Sequence, residues 1–156
     1  MNSLKRHRGP RYVAVDVLEP GSCVPLPQLY GRVISLIRTS LGASQGELGR
    51  LMGLPTSSVS KLEQGTTTLA VFHLDDLAEA FTEIGRGLWG KEAPVWRGSE
   101  LVGLVEDLVE DLEEEGYRVA WAFPDELGLE NFVEPTKLAL LVRRRWPEDL
   151  RGRLGW

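Results

Sequence analysis

The stretch Ser44-Gln45-Gly46-Glu47-Leu48-Gly49-Arg50-Leu51-Met52-Gly53-Leu54-Pro55-Thr56-Ser57-Ser58-Val59-Ser60-Lys61-Leu62-Glu63-Gln64-Gly65 decides how the chain is read. It opens with a capping box: the Ser44 hydroxyl is placed to accept from the Glu47 amide, and the Glu47 carboxylate to accept from the Ser44 amide. The box falls directly after Gly42, a C′ stop for the preceding helix. Leu48, Leu51 and Met52 then share one face of a short helix and are expected to point inward. Gly46 and Gly49 each weaken that helix by roughly 1 kcal/mol relative to alanine. Gly49 sits where the helix must approach the next one, so a missing side chain serves closeness. Gly53 permits a sharp turn with Leu54 plugging the core beneath it. A second short helix is expected over residues 55–63, with Val59 and Leu62 inward and Thr56, Ser57, Ser60 and Lys61 outward. Gln64-Gly65 ends it.

Two short helices joined by a tight turn are the layout of a helix-turn-helix, which presents its second helix to the major groove of DNA. The outward face here is short polar groups and one long cation, which on a helix lying in the groove reach base edges. Helix capping alone is the competing role for Thr56 and Pro55. Thr66-Thr67-Thr68 follow as a polar loop, suited to phosphate and equally to plain solvation.

Flanking helices complete a bundle. One is expected from residue 27 or 28 to about 40, with Leu29, Val33, Ile34, Ile37 and Leu41 as its buried stripe and Pro27 in its first turn. Another covers residues 70–84, with Val71, Leu74, Leu77, Ala78 and Phe81 inward. Its outer face carries Asp75, Asp76, Glu79 and Glu83, and should lie away from DNA. Upstream, Val24-Pro25-Leu26-Pro27 is extended, Glu19-Pro20-Gly21-Ser22 is a turn and residues 12–18 suit a short strand. Residues 1–11 form a basic arm: either an untethered terminus or an arm reaching phosphate or the minor groove.

Downstream, residues 85–99 read as a boundary or irregular connector, in which Trp89 and Trp96 are expected to bury. A helix over residues 99–115 has an apolar stripe of Leu101, Leu104, Val105, Leu108 and Leu112, widened by Val102 and Val109. Glu106, Asp107, Glu110, Asp111 and the glutamates at 113–115 load its other face. Residues 117–123 alternate like a strand, which needs a partner: residues 12–18, residues 138–142, or its own copy in a dimer. From Pro135 to residue 146 a helix with Pro135 at N1 is expected, a strand over 138–142 being the alternative. Arg143-Arg144-Arg145 is read as neutralising the acidic helix rather than binding DNA, and residues 147–154 as one or two more helical turns.

The bulk properties agree with a soluble chain: 156 residues, 42% apolar and 26% charged. No apolar run approaches the ~20 residues that span a bilayer, and residues 12–18 are too short and too broken by Asp16 for a secretory segment, so cytoplasmic residence is expected. Cys23 is the single cysteine, which excludes an internal disulfide and a Cys-rich metal site; it is read as a small packing residue. His73 has only His7 as a companion, so no metal site and no cofactor are expected. The net charge of −5 divides unevenly. Residues 1–65 hold eight Lys/Arg against four Asp/Glu, a surplus of +4; residues 66–156 hold ten against nineteen, a deficit of −9. The front suits phosphate and the back is repelled by it.

With these helices in place, residues 29–81 resemble the Cro/C1-type (Xre-type) helix-turn-helix regulators of bacteria and phages. The residues that carry the resemblance are Leu41-Gly42-Ala43-Ser44-Gln45-x-Glu47-Leu48, then Gly53 with Val59-Ser60-x-Leu62-Glu63-x-Gly65, and Leu74-x-x-Leu77-Ala78-x-Ala80-Phe81. The resemblance implies a mainly α fold, a lambda-repressor-like helical bundle; residues 86–156 have no such resemblance, and their own patterning suggests a small α+β or mostly helical C-terminal region. The resemblance also implies a repressor acting as a homodimer on double-stranded DNA with two half-sites. Thr56, Ser57 and Lys61, with Ser60 beside them, match base-reading positions; Gln45 matches a phosphate-gripping residue, and Thr66 joins them from the loop. Arg38 and Glu63 match a buried ion pair. Glycine stands at 49 where the family usually has alanine, and the short reading side chains suit modest or water-mediated specificity.

The expected organisation is an arm over residues 1–26, a DNA-binding domain over 27–85, and a dimerisation or partner-binding region over 86–156. The competing function is an antitoxin-like module whose acidic C-terminal region binds a protein partner. An enzyme is not expected: no His-Glu-x-x-His occurs, no Ser/Lys dyad is evident after residue 86, and the carboxylates are spaced as a solvated helix face.

Overall fold

The computed structural model describes residues 21–67, 71–121 and 132–145. Among them are six α-helices and one pair of short strands: β1 (Cys23–Pro25), α1 (Leu26–Ser40), α2 (Gln45–Met52), α3 (Thr56–Gln64), α4 (Val71–Trp89), α5 (Gly98–Glu114), β2 (Arg118–Ala120) and α6 (Pro135–Arg144). The fold is mainly α, as expected. The basic arm, residues 12–18, Phe123 and residues 147–154 lie outside the described residues.

Local chemistry sets the helix ends. Pro27 sits in the first turn of α1, where a missing amide costs nothing. The capping box of α2 is formed, with Glu47 N–H donating to Ser44 Oγ at 3.0 Å and Ser44 N–H to Glu47 Oε1 at 3.1 Å. Gly53 and Gly65 close α2 and α3 in the left-handed region, at φ +71° each, where a side chain would be strained.

A continuous core forms around α1. Leu29, Val33, Ile34 and Ile37 are buried in one cluster with Leu48, Val59, Leu77 and Phe81, and with Val105, Leu108, Leu112, Leu138 and Leu141 of the later helices. The bundle and the region after residue 86 thus share apolar contacts, with α4 packed on α5 and α1 packed on α6. The apolar stripe of α5 is buried as read, and Val102 and Val109 flank it half-buried.

Four expectations need correction. α4 does not stop near residue 84; it continues through Gly85-Arg86-Gly87 to Trp89. Gly85 is buried, and a Cβ there would lie 3.6 Å from Ala93, so the segment that folds back at Ala93 offsets the glycine penalty. Trp96 is buried, meeting Phe81 edge-on at 6.1 Å with its amide donating to Thr82 Oγ1 at 2.8 Å, but Trp89 remains 40% exposed on the last turn of α4. Leu51 is also exposed, because α2 is held to the bundle through Leu48 and Met52. Finally, β2 pairs in parallel with β1, Val24 opposite Val119, rather than with residues 138–142, which are helical within α6. The prolines mark Val24-Pro25 as extended but give no sign of which segment it pairs with.

Within the Arg143-Arg144-Arg145 cluster, Arg145 pairs with Glu115 at the C-terminal end of α5, and Arg143 and Arg144 are exposed. Cys23 packs with Ala120 and Phe132. Burial pushes its thiol from 9.0 up to about 11, against a smaller opposing pull from Arg118. The folded state therefore favours the neutral thiol; this contribution is complete below pH 9.0 and is lost as pH rises from there to about 11. Alkylation at pH 8 should be blocked in the folded chain and become complete on unfolding, which mass spectrometry of iodoacetamide adducts checks.

Glycine substitution separates packing from propensity. A Cβ at Gly31 would overlap the Glu63 carbonyl oxygen, so Gly31→Ala should force α1 and α3 apart and destabilise by about 2 kcal/mol or more. Gly46, whose Cβ would meet only the Thr56 and Ser44 hydroxyl oxygens at ordinary distances, should gain up to about 1 kcal/mol as alanine. Urea unfolding measures both.

Candidate nucleic-acid interface

The two short helices are held at a fixed angle by one buried carboxylate. Glu63, near the end of α3, is 3% exposed. Its Oε2 accepts from Arg38 Nε at 2.6 Å and its Oε1 from Arg38 Nη2 at 2.9 Å, a two-pronged pair with α1. The same Oε1 accepts from Gln45 Nε2 at 2.9 Å, at the first residue of α2. Arg38 Nη1 donates to the Ala43 carbonyl at 2.8 Å, and Arg32 Nη2 to the Glu63 carbonyl at 2.6 Å. Glu63 thus ties α3 to α1 and α2, and Arg38 extends the tie to the α1–α2 turn. The buried ion pair implied by the resemblance is present.

Close backbone approach completes the clamp. A Cβ at Gly65 would lie 2.5 Å from Gln28 Cα, and a Cβ at Gly49 would lie 2.6 Å from the Leu54 carbonyl oxygen. The structure thus supports closeness at position 49, although the neighbour met first is the turn at Leu54 rather than a side chain of α3. Gly31 and Arg32 escaped the sequence reading, as did the approach of Gly65, read only as a helix stop, to Gln28; the available signal was an unexplained glycine, Gly31, in the interior of an amphipathic helix.

With Val59 and Leu62 buried, α3 turns its other side to solvent. Thr56, Ser57 and Lys61 are exposed and Ser60 is half-buried. They share the outer face of one helix, as their spacing required. Ser60 Oγ accepts from Gln64 Nε2 at 3.2 Å, which orients the hydroxyl and adds exposed Gln64 to the same face. Thr66 is exposed beyond the end of α3; its hydroxyl and amide both donate to the Lys61 carbonyl, at 3.3 and 3.1 Å. Thr68 lies outside the described residues. Gln45 is half-buried, its amide nitrogen fixed on Glu63 beside the capping box. It therefore links the buried clamp to the exposed start of α2. The acidic side chains of α4 named from sequence, Asp75, Asp76, Glu79 and Glu83, are exposed.

Residues 34–83 match the helix-turn-helix family model. No curated protein and no solved structure gives a significant match to the chain. The match covers about a third of the chain and contains the turn, the Arg38–Glu63–Gln45 part of the clamp and the outward face just described. This segment is a Cro/C1-type helix-turn-helix domain. The family that this segment matches is one of DNA-binding transcriptional regulators. No helix among the described residues is long and apolar enough to cross a membrane.

Arg38→Met should leave the Glu63 carboxylate buried without its counter-charge and destabilise the fold by about 3–5 kcal/mol. Adding Glu63→Leu should recover much of that loss, because the stranded charge is then removed as well. Denaturant titration of the two variants distinguishes this from a simple loss of packing, in which the double variant would be the less stable.

Proposed function

We propose that the protein is a sequence-specific repressor that binds double-stranded DNA as a homodimer, with α3 in the major groove. The observation that carries this reading is a rigidly clamped helix whose exposed face holds Thr56, Ser57, Ser60 and Lys61 while its other face is fully occupied by the core. In this reading Thr56, Ser57 and Lys61 contact base edges, Ser60 supports them, and Gln45 and Thr66 hold phosphates beside the groove. The basic arm over residues 1–11 adds contacts to phosphate or the minor groove. Residues 86–156 serve dimerisation or partner binding; with ten Lys/Arg against fifteen Asp/Glu, their charge of −5 keeps them off the phosphates. Each protomer has few cations near its reading face, so useful affinity requires two half-sites, roughly 10 bp apart from centre to centre.

A second reading, an antitoxin-like module with DNA binding secondary or absent, is favoured by one observation, the exposed acidic face of α5.

Gel-shift titration against the protein's own upstream region separates the two. The repressor reading expects a dimeric complex whose affinity falls steeply with salt. Lys61→Ala should weaken binding about tenfold and flatten the salt dependence, and Thr56→Ala should cost about 1–3 kcal/mol on the preferred site with little effect on random DNA. Failure of the folded protein to bind DNA at low salt sinks the repressor reading.

A further inference from the structure

On the opposite part of the molecule's chemistry, α1 and α5 border a groove of about 470 Å³ that DNA reading does not use. Its apolar floor includes Tyr30 on α1, Val102 and Val109 on α5, and Trp121 just after β2. Val102, Val109 and Tyr30 are half-buried, and Trp121 is 65% exposed, the most exposed large apolar side chain among the described residues. Glu106, Glu110 and Glu113 edge the same groove. Val102, Glu106, Val109 and Glu113 follow one another at steps of four, three and four residues, so they form a single stripe about 16 Å long. Burial, with a smaller push from Glu106, raises the Tyr30 phenol above its ordinary value of 10.0, which places Glu106 in electrostatic reach of α1. Among the described residues no Lys or Arg lines the groove.

The charge pattern selects among occupants. A second copy docking its own α5 about a two-fold axis would set these glutamates against one another, a like-charge contact that disfavours association. An acidic segment would meet the same repulsion. An amphipathic helix with an apolar stripe and flanking Lys/Arg meets neither: its apolar side chains cover Trp121 and the valines, and its cations reach the glutamates at the edge. We propose that this groove is the docking site for a basic amphipathic helix of a partner protein. The assignment does not rest on DNA binding, so the two stand or fall separately.

The probe is a fluorescein-labelled Leu/Lys amphipathic peptide of about 18 residues, with a Leu/Glu peptide of the same apolar face as control, titrated by anisotropy against the full chain. The Leu/Lys peptide should bind saturably, more weakly at high salt, and the Leu/Glu peptide should not. Glu106→Lys/Glu110→Lys should weaken binding by about tenfold or more, and Trp121→Ala should weaken it without changing the salt dependence. Asp107→Lys/Asp111→Lys, exposed on α5 outside the groove, should stay within about twofold of wild type. The variants alter exposed side chains, and circular dichroism melting confirms that they fold. Equal loss in the two charge reversals, equal binding of the two peptides, or no binding of the Leu/Lys peptide at low salt overturns the proposal. So does sedimentation in which Trp121→Ala converts a dimer to a monomer, because a second copy then fills the groove.

Discussion

The buried carboxylate of Glu63 is the constraint on which the rest of the front half depends. A charge at 3% exposure is tolerated only when its counter-charge and hydrogen bonds are supplied in full. Here they come from Arg38 on α1 and Gln45 on α2. Because each donor belongs to a different helix, satisfying the carboxylate fixes three helix positions at once. The close backbone contacts at Gly31 and Gly65 bring α1 near enough for this geometry to be reached. In the proposed function, a reading face made of short side chains needs such rigidity, since Thr and Ser have little reach with which to correct a misplaced helix.

A second constraint links the two halves of the chain. α1 shares one apolar cluster both with the helix-turn-helix and with α5 and α6. The parallel pairing of β1 with β2 brings the segment entering α1 beside the segment leaving α5. The charge division of the sequence, positive before residue 66 and negative after, therefore lies on a structure with a shared core.

What was legible from the residues was local. The capping box at Ser44 and Glu47, the left-handed glycines 42, 53 and 65, and the helical spacing of the apolar stripes each involve residues within a few positions of one another, and each is found in the structure. So is the helical reading of the segment opened by Pro135. What escaped was non-local. Leu51 lies on the expected face of α2 yet is exposed, because periodicity gives a face but not how far the neighbouring helix extends to cover it. The continuation of α4 past Gly85 depends on Ala93 packing back against it. The partner of β2 lies nearly a hundred residues upstream, and three-residue strands leave no alternation pattern long enough to identify the pairing.

The sequence by itself determined the helix-turn-helix: its caps, its turn, its inward stripe and the outward set Thr56, Ser57, Ser60 and Lys61. These follow from hydrogen bonds and side-chain directions set within one or two helical turns. Only the tertiary structure decided that Gln45 joins the Arg38–Glu63 pair, that glycines 31 and 65 set the approach of α1 to α3, and that Tyr30, Trp121 and the flank of α5 form one groove. Those features arise where distant segments meet, and the free energy that selects the meeting is spread over the whole buried core rather than written in any one stretch.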